Sequence, residues 1–189
     1  MESTDGIKKE SPRDRILKTA IHFFNSKGIR ATGVDTLIEE SGVAKMTFYK
    51  YFPTKKALVM EYLRERDHFV LALLKERLSR EGPSPREKLL SIFDVLKNLC
   101  EDPQFRGCVF INAIAESRSV ESEEHLFSAS HKRAFQQLLK ETAIQAGLKK
   151  PNEVADQLSL LFHGAVVTAQ IEDSTRPIQV ARELAYKLV

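Results

Sequence analysis

Two Ser-Pro segments constrain the fold of this chain more than any other feature, because they mark where helices begin. Residues 11–14 read Ser-Pro-Arg-Asp and residues 84–87 read Ser-Pro-Arg-Glu. Each segment supplies a hydroxyl for the helix N-cap, a proline for the first helical position and a carboxylate three residues after the cap. No Asn-Gly or Asp-Gly turn stands between alternating apolar runs, as a β-hairpin would require. The sequence therefore predicts an all-α protein.

Apolar residues at helical spacing and helix-stop signals divide the chain into about nine helices. The first stripe ends before Gly28, which supplies a left-handed stop. Gly82-Pro83 separates a long fourth helix from the fifth, and Asp102-Pro103 ends the fifth. The predicted helices cover residues 12–27, 34–41, 45–51, 55–80, 85–100, 105–117, 122–146, 151–172 and 177–188.

The second and third predicted helices are short and are separated by only a few residues. Thr32 and Gly33 precede the second helix, and Gly42 follows it. The third helix then starts at Lys45. A short helix, a glycine-containing turn and another short helix form the pattern of a helix-turn-helix.

Basic residues are concentrated in the N-terminal third of the chain. Residues 1–56 contain eleven Lys or Arg against seven Asp or Glu, whereas the rest of the chain contains 18 against 19. A basic module suits contact with a polyanion such as a nucleic acid backbone. We therefore predict a flexible N-terminus at residues 1–11, a helix-turn-helix DNA-binding domain at 12–56 and a larger helical body at 57–189.

Few features of other functional classes occur in the sequence. Cys100 and Cys108 are too few for a disulfide framework, and neither has a Cys or His at metal-ligand spacing. The N-terminus lacks the apolar core of a signal peptide, and the longest apolar stretch, residues 158–171, is interrupted by polar residues. We therefore expect a cytoplasmic protein with no metal, no cofactor and no membrane partner.

An enzyme is the first alternative, and the sequence gives it little support. The five histidines are scattered, no glycine-rich phosphate loop follows a strand, and no Ser or Cys nucleophile stands in a known motif. We therefore predict no catalytic residue.

Residues 28–58, GIRATGVDTLIEESGVAKMTFYKYFPTKKAL, carry the most specific motif of the chain. A glycine, a threonine, a Gly-Val turn, a Thr-Phe-Tyr-Lys-Tyr-Phe segment and a lysine follow one another in that order. This stretch resembles the tetracycline-repressor (TetR) family of transcriptional regulators. One departure is Ala44, where that family often has a serine that caps the third helix.

The helix that begins at Lys45 is the predicted recognition helix. Its leading residues, 45–47, are expected to reach base edges in the major groove. Tyr49, Lys50 and Lys55 are expected to contact phosphates. The resemblance implies that Thr32 and Gly33 act through the backbone. Phe48 and Phe52 lie on the opposite face and are expected in the core. The predicted DNA-binding residues are Thr32, Gly33, Lys45, Met46, Thr47, Tyr49, Lys50 and Lys55.

The resemblance also assigns roles to the body. It implies a ligand pocket among helices 4 to 7 and a homodimer formed by the last two helices. The candidate ligand-binding or sensing residues are Phe93, Leu96, Phe105, Cys108, Ile111, Asn112, Phe127, His131 and Phe162, with Phe110, Ile114, Glu116, Phe135 and His163 as further possibilities. The candidate dimer-interface residues are Leu158, Leu161, Ala165, Thr168, Ala169, Ile178, Ala181, Leu184, Ala185 and Leu188, for which intramolecular core is the alternative.

Cys108 is the sharpest local feature of the body. It follows Arg106 and Gly107 at the predicted opening of a helix, where a thiol can become a reactive thiolate. Cys108 is therefore a candidate sensor of oxidants or electrophiles, and the alternative is a small buried apolar residue.

Together these patterns predict a ligand-responsive repressor that binds palindromic double-stranded operator DNA as a homodimer. A small molecule or a modification of the thiol is expected to release it from DNA. The alternatives are a transcriptional activator and an architectural DNA-binding protein without an inducer.

Overall fold

A computed structural model describes residues 10–103, 105–117 and 119–189 of the chain. Most of the segment predicted as a flexible N-terminus, residues 1–9, lies outside the described residues. The described part is helical with no strand, which confirms the all-α prediction. Its helices are α1 Pro12–Lys27, α2 Val34–Ser41, α3 Lys45–Tyr51, α4 Lys55–Ser79, α5 Pro85–Cys100, α6 Val109–Glu116, α7 Glu123–Gln145, α8 Pro151–Glu172 and α9 Arg176–Tyr186.

The predicted caps form at both Ser-Pro segments. The Ser11 hydroxyl accepts a hydrogen bond from the Asp14 backbone N–H at 3.2 Å, and Ser84 accepts one from the Glu87 N–H at 3.3 Å. The Glu87 carboxylate in turn accepts from the Ser84 N–H at 2.7 Å, which completes a capping box. These local bonds explain why α1 and α5 begin where the sequence predicts.

The sixth helix differs most from its prediction, because it begins at Val109 and not at residue 105. Gly107 has a φ of +80°, and a side chain there would collide with Gln170. The Arg106 carbonyl accepts hydrogen bonds from the side chains of Asn112 at 2.9 Å and Gln170 at 3.2 Å. The segment before α6 is therefore held in a non-helical conformation by α6 and α8.

Two compact units make up the chain, Met1–Tyr62 and Leu63–Val189, and their boundary falls within α4. In the first unit, α1, α2, α3 and the start of α4 surround a small core. An Arg13–Glu61 ion pair and a 2.6 Å hydrogen bond from the Tyr62 hydroxyl to Asn25 join α4 to α1. The buried apolar residues include Ile16, Ala20, Phe24, Leu37, Phe48, Phe52 and Leu58.

The second unit has a larger core, in which α8 packs against α5, α7 and α9. Phe162 of α8 is central, since its ring centroid lies 6.2 Å from that of Phe93 and 4.8 Å from that of Phe135. Aromatic rings at these separations add favourable contacts to the burial of their surface. Among the described residues, no helix is both long and apolar enough to cross a bilayer.

Candidate nucleic-acid interface and body cavity

The turn between α2 and α3 is built by Gly42 and Val43. Gly42 ends α2 in the left-handed conformation, with φ +63° and ψ +32°, and its N–H bonds to the Glu39 carbonyl at 3.1 Å. Val43 is buried, so the turn is fixed to the core. Ala44 is the N-cap of α3 and makes no side-chain cap, as its side chain requires. The first N–H groups of α3 therefore have no side-chain acceptor from this position.

α3 has one buried face and one exposed face. Phe48 is fully buried and Phe52 nearly so, which confirms that both belong to the core. Met46 is 86% exposed and Tyr49 is 41% exposed. Lys50 is also exposed, and Thr47 is half-buried. The core thus fixes the rotation of α3 and leaves its predicted DNA-binding positions accessible.

Lys45, the first residue of α3, is paired across the turn with an acid of α2. Its ammonium lies 3.7 Å from the Asp35 carboxylate, and both side chains are largely exposed. Sequence reasoning did not identify Asp35, because the pairing depends on the angle between two helices. The leading end of α3 therefore carries a carboxylate beside the Lys45 ammonium.

Thr32, Gly33 and Lys55 lie where the chain enters α2 and α4. Thr32 is buried, and its hydroxyl donates to the carbonyls of Phe23 at 3.3 Å and Gly28 at 2.8 Å. Its side chain is therefore committed to the end of α1, and only its backbone is left for DNA. Gly33 is exposed at the N-cap of α2. The Lys55 ammonium donates to the Arg30 carbonyl at 3.4 Å.

The second unit contains a small, mostly apolar cavity of about 60 Å³. Helices α4 to α8 and the segment before α6 contribute to its wall. The residues that line it are Arg66, Val70, Leu74, Leu96, Leu99, Phe105, Gly107, Cys108, Val109, Phe110, His131, Phe135, Phe162, His163 and Val166.

Five predicted ligand-binding residues lie in this wall: Leu96, Phe105, Cys108, His131 and Phe162. The other four do not line the cavity. Phe93 is buried behind Phe162, the Asn112 amide is bound to the Arg106 carbonyl, and Ile111 and Phe127 are half-buried elsewhere. Sequence reasoning missed the wall residues of α4, and Arg66 is the most informative of them.

Two histidines with fixed orientations face the cavity. His131 Nδ1 lies 2.6 Å from the Asp67 carboxylate, and the His131 ring stacks on Phe110 with centroids 3.7 Å apart. Burial lowers the pKa of His131, although the hydrogen bond to Asp67 opposes the shift. Burial also lowers the pKa of His163 to about 4, and the charge of Lys132 contributes. Both rings are therefore neutral near pH 7.

The two cysteines have different surroundings. Burial raises the pKa of the Cys100 thiol to about 11, with a further contribution from the charge of Glu101. Cys108 is the N-cap of α6 and lines the cavity. It also interacts electrostatically with Lys132, whose pKa burial lowers. Cys108 is therefore the thiol with a basic partner and access to the cavity.

The predicted dimer residues divide into buried and accessible sets. Those that are buried in the subunit's own core are Leu158, Ala165, Ala169, Ile178, Ala181 and Ala185. Their burial favours the alternative of intramolecular core, and their part in a dimer interface stays a prediction. Leu161 and Leu188 are partly buried against the same core, whereas Thr168 and Leu184 are exposed.

A different apolar face of α8 and α9 is exposed. Leu160 is 75% exposed and Ile171 is 78% exposed on α8, and Val180 and Leu184 of α9 are also accessible. Between the two helices runs a groove whose walls include Leu160, Gly164, Thr168, Pro177, Val180 and Leu184. Ala165 and Ala181 form part of its floor.

The helix-turn-helix, with an exposed face on its second helix and a basic residue at the leading end, defines a DNA-binding module. Residues 16–62 match the family of bacterial regulatory proteins named tetR. This match covers about a quarter of the chain and identifies residues 16–62 as a DNA-binding domain of the TetR type. The chain thus carries the DNA-binding domain of a bacterial transcriptional regulator.

Relatives along most of the chain include two regulators of Escherichia coli. The chain is 21% identical to the HTH-type transcriptional regulator YjdC over 173 residues, which cover 92% of this chain and 91% of YjdC. It is 24% identical to the HTH-type transcriptional repressor NemR over 178 residues, or 89% of each chain.

Solved structures share the fold. The TetR-family regulator SCO4454 from Streptomyces coelicolor aligns with a TM-score of 0.82 at 24% identity, covering 93% of this chain and 96% of SCO4454. The reduced form of E. coli NemR aligns with a TM-score of 0.83 at 22% identity, covering 95% of this chain and 97% of NemR. At these identities the likeness establishes the all-helical architecture.

Proposed function

We propose that this protein is a homodimeric repressor that reads a palindromic operator and is released from it by an effector bound in the body. The proposal rests on the observation that α3 has one buried face and one exposed face. Its phenylalanines fix it in the core, while Lys45, Met46 and Tyr49 project from the other face. A helix held in this way can enter the major groove without rearranging.

The residues of this face have distinct roles in the proposal. Lys45, Met46 and Thr47 contact base edges, with the ammonium as a donor to guanine and the methionine against a thymine methyl. Tyr49, Lys50 and Lys55 contact phosphates and set the register. Gly33 and the Thr32 backbone clamp the strand at the start of α2, where free N–H groups favour a phosphate.

The exposed groove of α8 and α9 is the proposed dimer interface. Leucine and isoleucine side chains as exposed as Leu160 and Ile171, both on α8, indicate a surface that is covered in the functional state. Two copies of the α8–α9 pair form a four-helix bundle around a two-fold axis. A two-fold dimer presents two α3 helices to two half-sites, and this geometry accounts for a palindromic operator.

Repression, in preference to activation, is supported by the name of the relative NemR, a transcriptional repressor. The effector site is the cavity of the second unit. Its volume of about 60 Å³ is below the roughly 300–1,000 Å³ of ligand pockets, so an effector must push its walls apart. Arg66, Val70 and Leu74 of α4 belong to those walls, so such expansion moves α4.

A second route of release is modification of Cys108, favoured by its position in the cavity beside Lys132. An electrophile added to this sulfur would occupy the same small cavity. A Cys108→Ser variant should then keep operator binding in the presence of N-ethylmaleimide, while Cys100→Ser should be released like the wild type. Equal release of both variants would eliminate Cys108 as the sensor.

The proposal is tested by selecting binding sites from random DNA duplexes with the full-length protein. We expect an enriched palindrome for the wild type, and loss of enrichment for Lys45→Ala and Tyr49→Ala. Lys18→Ala is the matched control, because Lys18 is an exposed lysine of α1 outside the proposed interface. Binding without sequence enrichment would favour the architectural alternative. Enrichment of a site that activates a reporter promoter would favour the activator.

A further inference from the structure

We propose that the cavity of the second unit binds a small apolar acid, whose carboxylate pairs with Arg66 while its apolar part lies among the phenylalanines. This inference rests on the effector site proposed above and adds the chemical class of the effector. It follows from the charge of the wall, the state of Arg66 and the shape of the cavity.

The charge of the cavity wall is of one sign. The fifteen described lining residues include one cation, Arg66, and two neutral histidines, His131 and His163, with no Asp or Glu among them. The other lining residues are apolar side chains, one glycine and Cys108. A charged group that enters such a wall is stabilised if it is negative and destabilised if it is positive.

One nitrogen of the Arg66 guanidinium lacks an acceptor in the described part of the chain. This nitrogen, Nε, is fully buried and has no hydrogen-bond partner. The guanidinium carbon lies 4.9 Å from the centre of the Phe69 ring, which stabilises the cation without accepting a hydrogen bond. A buried donor without an acceptor is costly, and a bidentate carboxylate is the group that matches a guanidinium.

The carboxylate next along α4 does not fill this role. Asp67 is engaged by His131 at 2.6 Å, which leaves Arg66 for a group from outside the chain. His163 Nδ1 is likewise engaged, since it lies 2.7 Å from the Ser159 carbonyl and 3.3 Å from the Ser159 hydroxyl. Each histidine therefore has one nitrogen fixed by the protein. The second nitrogen, Nε2, is the one left to interact with a ligand.

The two histidines should respond to the charge of a bound ligand. Burial lowers both pKa values, and Lys132 adds a positive charge nearby. An anion in the cavity acts in the opposite direction and favours their protonation. Asp67, Lys132, Cys108 and Arg66 are the other charged or titratable groups around these rings. Binding of an acid should thus be accompanied by proton uptake.

The rest of the wall selects the body of the ligand. Phe105, Phe110, Phe135 and Phe162 surround the cavity and offer no hydrogen bonds from their side chains. A volume of about 60 Å³ holds only a few heavy atoms before the walls move. These features favour a compact aliphatic or aromatic carboxylate over a strongly hydrated inorganic anion.

The test is calorimetric titration of the full-length protein at pH 7 with propanoate, hexanoate, benzoate and phenylacetate, and with the four matching amides. At least one acid should bind, and its amide should bind at least tenfold more weakly. Arg66→Met should weaken the acid at least tenfold and leave the amide unchanged. Lys75→Met, at an exposed lysine of α4, is the control for loss of one positive charge on the same helix.

Two results would overturn the inference: no binding by any of the four acids, or an acid that binds equally well to the Arg66→Met variant. Thermal melting of the variant keeps these results separate from misfolding. The proposed function is judged by a different readout, release of the selected duplex. Acid binding without release would contradict effector control and support the acid site. Release by uncharged compounds, with no acid bound, would support effector control and contradict the acid site.

Discussion

The two units place their polar side chains in opposite settings. In the first unit, the candidate functional groups of α3 stand on the surface, and the core beneath them is apolar. In the second unit, an arginine and two histidines are gathered around a small cavity, and one exposed face of α8 and α9 is apolar. Exposed polar groups need no compensation, whereas buried ones require partners.

This difference indicates how each unit works. The face of α3 is complete before DNA arrives, because it needs only to be held in one orientation. The cavity is incomplete, since Arg66 Nε lacks an acceptor and the volume is small. A ligand that accepts a hydrogen bond from Arg66 must therefore enlarge the cavity. This difference between the two units is what we expect of a DNA-binding domain coupled to a ligand-sensing domain.

The largest effect is expected from Phe48→Ala, which removes the anchor of α3. Deleting a fully buried phenylalanine should lower the free energy of unfolding of the first unit by about 3–5 kcal/mol. Urea denaturation followed by circular dichroism measures this loss. Tyr51→Ala, at an exposed position of the same helix, should cost less than about 1 kcal/mol. Equal losses would mean that α3 is not fixed through Phe48.

A charge in the groove of α8 and α9 should break the proposed dimer. Val180→Asp places a carboxylate in an apolar interface, where burying an unpaired charge is strongly unfavourable. Light scattering should then report a particle of one 21.5 kDa chain, where the wild type has twice that mass. Ile144→Asp is the control, because Ile144 is an exposed apolar residue of α7 outside the groove. A Val180→Asp variant that stays dimeric would require another interface.

His163 should make the protein less stable in mild acid. Its pKa of about 4 lies below the ordinary 6.5, so the unfolded chain binds the proton more readily. The loss of stability through His163 is small above pH 6.5 and grows as the pH falls towards 4. The folded state should lose about 2 kcal/mol between pH 7 and pH 5 through this group. A His163→Gln variant should therefore show a shallower decline in chemical denaturation, and an unchanged slope would contradict the assigned pKa.

The smallest effect is expected at Asp35. Its pair with Lys45 is exposed, and such pairs contribute at most about 1 kcal/mol. Asp35→Asn removes a negative charge beside the leading end of α3 and should strengthen operator binding about two- to fivefold at low salt. Glu40→Gln, another exposed acid of α2, controls for net charge in the same anisotropy assay. A weaker operator complex would instead make Asp35 essential for orienting Lys45.

The helix-turn-helix was readable from sequence because its determinants are local. A glycine in the left-handed region and an apolar spacing of four residues act within the twenty residues from Thr32 to Tyr51. Thr32 shows the limit of this reasoning, since its hydroxyl turns inward to the end of α1.

The cavity and the groove between α8 and α9 were harder to predict from the sequence, because they depend on tertiary packing. Arg66 and Cys108 are 42 residues apart and line one cavity, and no spacing rule relates them. α8 carries an inner apolar stripe through Leu158 and an outer one through Leu160, and the periodicity alone does not distinguish them. Six of the ten residues predicted for the dimer lie on the inner stripes, and Thr168 and Leu184 are exposed.

The central claim, that DNA reading and sensing reside in separate sets of residues, is tested most directly by one anisotropy titration of the selected duplex. Lys45→Ala and Arg66→Met are compared with the wild type in the absence of effector. We expect Lys45→Ala to weaken the complex at least tenfold and Arg66→Met to bind as the wild type does. An Arg66→Met variant that folds normally but loses as much affinity as Lys45→Ala would contradict it.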